Sequence, residues 1–62
     1  MTKLESLRRD KKMSISQVSK EIGVSSYKYK SIEMNPLTAT PSIAIRLSNL
    51  FSMTIEDIFL SR

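Results

Sequence analysis

Wherever hydrophobic residues recur regularly in this chain, they do so at spacings of three and four: Leu4 and Leu7, Val18 and Ile22, Tyr29 and Ile32, then Ile43, Leu47 and Leu50, and finally Ile55, Ile58 and Phe59. At 3.6 residues per turn each set falls on one face of a helix. The pattern predicts five short helices. No stretch bounded by turn residues alternates apolar and polar positions over a useful length, so a sheet has no source. The expected fold class is all-α, a compact five-helix bundle.

The helix starts carry more signal than the helix bodies. Ser14 and Gln17 stand three apart, the spacing at which an N-cap hydroxyl and an N3 side chain satisfy each other's backbone N–H groups. An apolar residue precedes the cap and another follows four positions on, Met13 and Val18, and the same bracket recurs as Val24 and Tyr29 around Ser25 and as Met53 and Ile58 around Thr54. Thr40 before Pro41 is a further start, with Ser42 as an alternative cap. Gly23, the only glycine, offers a left-handed stop after a helix over about Ile15 to Ile22. The unit from Ser14 to Glu33 is therefore helix, tight turn, helix, with Val24 at the elbow.

Sixty-two residues allow one domain, residues 1–62, with a small core. Without Cys or His the chain has neither a disulfide framework nor the usual metal ligands and general base, and its carboxylates form no catalytic constellation. An enzyme is not expected, and no cofactor or metal is implied. No apolar run exceeds three residues, as at Ile43-Ala44-Ile45, and no signal-peptide segment opens the sequence, so the expected setting is a cytoplasm and not a membrane. The charge is uneven. Residues 1–33 hold eight Lys/Arg and four Asp/Glu, whereas residues 34–62 hold two of each. All of the net +4 lies in the first half, which suits an anionic partner, although solvation of helix faces explains many such lysines equally well.

In order and spacing the residues Leu7-Arg8, Met13-Ser14, Gln17-Val18, Ile22-Gly23-Val24-Ser25, Ile32-Glu33, Pro41-Ser42, Leu47-Ser48-Asn49-Leu50 and Ile55-Glu56-Asp57-Ile58-Phe59 resemble the XRE-type helix-turn-helix domain of phage Cro and cI repressors. The resemblance spans residues 4–59. It implies the lambda-repressor-like form of the five-helix bundle, with helices two and three as the helix-turn-helix. It also implies a recognition helix, Ser26 to about Met34, lying in the DNA major groove.

With Tyr29 and Ile32 inward, that helix turns Tyr27, Lys30, Ser31 and Met34 outward, flanked by Ser26 and Lys28. Ser26, Tyr27, Lys28 and Ser31 are the candidate base readers. The Tyr27 ring suits a thymine methyl, and Lys28 suits a guanine edge or a phosphate. For phosphate the resemblance points to the start of helix two, at Ser14, Ile15 and Ser16, with Lys12, Lys20 and Lys30 as neighbours and Asn35 and Thr38 from the following loop. Two departures weaken the likeness. Ile15 stands where relatives often carry Gln, and the loop from Asn35 to Thr40 has no charge.

Glu33 is expected to make an ion pair with Arg8 or Arg9, Tyr29 to be core with its hydroxyl at the rim, the methionines to be filler, and Arg46 to be solvated. Ser52 occupies the place where relatives often end helix four with Gly. The implied function is a sequence-specific, double-stranded DNA-binding regulator acting as a homodimer on a palindromic operator, without a small-molecule ligand. Ile55, Phe59 and Leu60 are candidates for the dimer seam. The alternative is a protein-interaction module or antitoxin-like protein that keeps the fold and binds an acidic partner.

Overall fold

Hydroxyl side chains begin the helices of this chain and left-handed residues end most of them. The computed structural model describes residues 2–59 as α1 (Lys3–Asp10), α2 (Ile15–Ile22), α3 (Ser26–Met34), a 3-10 turn (Pro36–Thr38), α4 (Pro41–Phe51) and α5 (Ile55–Phe59). Among the described residues there is no strand. Met1 and the dimer candidate Leu60 lie outside them.

Every expected cap is made. Ser14 Oγ accepts from the Gln17 N–H at 3.1 Å while Gln17 Oε1 accepts from the Ser14 N–H at 2.7 Å. Ser25 accepts from the Lys28 N–H at 3.0 Å, Thr40 from the Ile43 N–H at 3.4 Å, and Thr54 from the Asp57 N–H at 3.0 Å. Each such cap contributes about 1 kcal/mol. A further cap, Thr2 accepting from the Glu5 N–H at 3.2 Å, starts α1.

The stops of α1, α2 and α4 share one geometry. After α1 the Lys12 and Met13 N–H groups donate to Arg9 and Arg8 carbonyls, after α2 those of Gly23 and Val24 donate to Lys20 and Ser19, and after α4 those of Ser52 and Met53 donate to Asn49 and Ser48. This is the paired closure in which the first residue must be left-handed, and φ is +57° at Lys12, +77° at Gly23 and +54° at Ser52. The chain thus repeats one turn three times: a left-handed residue, an apolar residue that packs on the core, then the next N-cap. Only Gly23 adopts that conformation without a Cβ penalty. There the space is also limited, because an added Cβ would stand 3.1 Å from an Arg46 guanidinium nitrogen. At Ser52, Gly relieves the strain, and Ser52→Gly is expected to stabilise the fold by about 0.5–1 kcal/mol after the entropy that Gly adds to the unfolded chain. Thermal melting checks this as a rise of a few degrees.

All five helices feed one core. Leu4, Val18, Ile22, Tyr29, Ile32, Ile43, Leu47, Phe51 and Ile58 form its centre, and Leu7, Met13, Ile15, Val24, Ala39, Leu50, Met53 and Phe59 pack around it. α2 packs chiefly against α3, and α4 against α5. The Cα radius of gyration is 10.1 Å, as compact as a folded chain of this length should be. No helix of the described residues is long and apolar enough to cross a membrane.

Three expectations need correction. Arg46 is not merely solvated: its guanidinium donates to the Ile22 carbonyl at 2.8 Å, satisfying the last turn of α2 from across the core. The Tyr29 hydroxyl is buried and not at the rim, because the ring sinks entirely beneath its neighbours. Met34 is not filler, since it projects from the end of α3.

Candidate nucleic-acid interface

The orientation of α3 follows from what it buries. Tyr29, Ile32 and Glu33 face inward, so Tyr27, Lys28, Lys30 and Met34 are left exposed. Ser26 is exposed, with its Oγ 3.3 Å from Ser19 Oγ, and Ser31 is half-buried. Of the four candidate base readers, three stand clear of the fold and Ser31 is partly covered.

α3 is clamped at its C-terminal half. Arg8 of α1 grips Glu33 through two parallel hydrogen bonds, Nε to Oε2 at 2.9 Å and Nη2 to Oε1 at 3.1 Å, and its Nη1 donates to the Met13 carbonyl at 2.9 Å. One guanidinium therefore ties α1, the turn before α2, and α3 together. These bonds to Glu33 hold the Arg8 guanidinium above its already high ordinary value. Arg9, the other candidate partner for Glu33, pairs instead with Glu5 four residues earlier on the exposed side of α1.

Tyr29, one turn before Glu33, has a buried hydroxyl that meets no partner in hydrogen-bonding geometry, with the Glu33 carboxylate near it. Burial first, and the neighbouring Glu33 carboxylate second, push its pKa far above the ordinary 10.0. From about pH 10 upward the unfolded chain releases this proton while the folded chain retains it, so stability falls with rising pH by up to about 1.4 kcal/mol per unit. Tyr29→Phe should abolish that component. At neutral pH it should also stabilise by up to about 1 kcal/mol, because it deletes an unsatisfied buried group. Melts at pH 7 and above pH 10 read both effects; a Phe variant that is less stable at pH 7 would show that the hydroxyl has a partner after all.

The phosphate candidates divide into two groups. At the start of α2, Ser14 and Ser16 are exposed, and because Ser14 Oγ accepts from Gln17 its own O–H stays available to donate outward. Ile15 is half-buried and packs on the core, so its side chain offers no polar contact there. Lys12, Lys20 and Lys30 are exposed, and none of them joins the ion pairs of the described residues. In the loop, Asn35 ends α3 and is exposed, but the Thr38 hydroxyl donates to the Asn35 carbonyl at 2.8 Å. A phosphate at Thr38 would have to displace that bond.

An open cleft of about 470 Å³ brings part of this set together. Ile15 from α2 and Lys30 and Met34 from α3 line one side, and Thr2, Glu5, Arg8, Arg9 and Glu33 complete it. The start of α2 and the outward face of α3 thus border the same surface. Helical spacing already turned Met34 outward, whereas Arg9 was not expected here, because its position depends on how α1 docks. The dimer candidates differ from each other: Ile55 is exposed, and Phe59 packs partly on the core. No group of His, Cys, Asp or Glu among the described residues could hold a metal ion. No family model, curated protein or solved structure matches the chain.

Proposed function

We propose that the chain is a sequence-specific, double-stranded DNA-binding regulator of the lambda-repressor-like helix-turn-helix class, in which α2 and α3 form the motif and α3 enters the major groove. The observation that carries this reading is the two-faced character of α3. Tyr29, Ile32 and Glu33 lock it to the fold while Tyr27, Lys28 and Lys30 stand outward, and Ile15 at the start of α2 lines one cleft with Lys30 and Met34. Helix N-termini and lysines position a protein on phosphates, and the outward side chains meet base edges.

A single such helix makes few contacts, so useful affinity at cellular salt requires two copies. The homodimer would hold two α3 helices about 34 Å apart, facing the half-sites of a palindrome. Exposed Ile55, with Phe59 beside it, supplies apolar surface for the seam.

Selection of duplexes from a random library at near-physiological salt tests the reading. An enriched palindrome with half-sites about one turn apart is the expected result. One observation favours the alternative of a protein-binding module: Leu37 of the 3-10 turn is exposed, as is Met34 at the end of α3. An unenriched pool, with binding that vanishes in salt, would favour that alternative.

A further inference from the structure

The proposal that follows rests on the DNA reading above and concerns what α3 reads. Tyr27, Lys30, Ser31 and Met34 stand at i, i+3, i+4 and i+7, the spacing that elsewhere in this chain marks a face packed against the core. Yet Tyr27 is 82% exposed and Met34 74%. α3 therefore carries one apolar face inward, through Tyr29 and Ile32, and apolar groups at both ends of its outward stripe. Lys30 lies within that stripe and exposed Lys28 stands beside it, a charge pattern that suits a groove walled by phosphates better than an apolar protein surface.

What α3 lacks is equally telling. Its nine residues include no Arg, Asn or Gln, and its one acid is held by Arg8. Planar two-pronged pairing with guanine or adenine edges draws chiefly on Arg, Asn and Gln, whereas lysine brings a mobile point charge. The apolar feature that the major groove offers is the C5 methyl group of thymine.

We infer that this chain recognises its half-site chiefly by apolar contact with thymine C5-methyl groups. Tyr27 is the principal contact, in the first turn of α3 where such helices meet base edges. Met34 is the second, about 10 Å further along at 1.5 Å per residue. Ser26 and Ser31 hydroxyls tolerate several bases and add little discrimination.

The test replaces thymidine by deoxyuridine, one position at a time, in a duplex obtained by selection; this removes the methyl group and leaves base pairing intact. Affinities are measured for the wild type and for Tyr27→Phe, Tyr27→Ser and Met34→Ser, whose melting temperatures report that these exposed substitutions leave the fold intact. Expected is a loss of about fourfold for at least one deoxyuridine in each half-site, the value of one buried methyl. Tyr27→Phe keeps that penalty, and Tyr27→Ser removes it at the principal site. Selective binding that is indifferent to every deoxyuridine would overturn methyl reading and leave the DNA reading standing. A penalty that survives in both serine variants would overturn the assignment to Tyr27 and Met34. A library with no enriched duplex would overturn both readings together.

Discussion

Glu33→Ala is expected to cost about 3 kcal/mol, most of the roughly 5 kcal/mol that holds a domain of this size together. The Arg8 and Glu33 side chains are only 13% and 8% exposed. Truncating the acid therefore leaves the guanidinium with only the more distant Glu5 carboxylate, itself paired with Arg9, and it removes the clamp between α1 and α3. The hydrogen bond from Arg8 to the Met13 carbonyl remains, but it neutralises no charge. Thermal melting should register a fall of at least about 10 °C. Replacing both partners by apolar residues, Arg8→Met with Glu33→Leu, should cost less than Glu33→Ala alone, since the desolvation penalty disappears with the charges. A Glu33→Ala protein that melts within 2–3 °C of the wild type, to put a rough bound on it, would mean the pair is only a surface contact.

The second large effect is on binding. Lys12, Lys20, Lys28 and Lys30 are exposed and take no part in the ion pairs of the described residues, so the proposed dimer would carry eight such cations available to phosphates. Six to ten phosphate contacts correspond to a loss of about 10³-fold or more in affinity between roughly 50 and 200 mM salt. Affinity for the selected duplex should fall on that scale. Lys28→Ala separates the two roles open to that residue: as a phosphate contact it lowers the salt slope by about one per protomer on every sequence, and as a base reader it changes the selected sequence. Affinity unchanged across that salt range would remove the electrostatic basis of the proposal.

How much of this was legible beforehand depends on the reach of each interaction. Caps are local, so Ser14 with Gln17, Ser25, Thr40 before Pro41, and Thr54 each gave a helix start that the structure makes. The bounds of α2 and α3 followed from those caps and Gly23. Thr2 and Glu5 carried the same local signal and were overlooked. The left-handed turns at Lys12 and Ser52 were harder, because Gly23 alone of the three announces its conformation by its residue type. Their signature is the apolar residue and cap that follow each of them.

Contacts between distant residues were the least legible. Arg46 reaches the Ile22 carbonyl across 24 residues, and nothing near Arg46 in the sequence hints at it. Likewise the choice of Arg8 over Arg9 for Glu33 depends on how α1 lies against α3. For the candidate site, helical periodicity gave the outward register of Tyr27 and Lys30. Periodicity could not show that the Thr38 hydroxyl is already engaged or that Ser31 is half-covered.

The most direct measurement of the central claim is a titration of isotopically labelled protein with the selected duplex, followed through the backbone amide resonances. Reading by α3 predicts the largest shifts at residues 14–16 and 26–34, with the core amides of α4 little changed. Shifts confined to Leu37, Ile45 and Ile55, or none with any duplex, would contradict it.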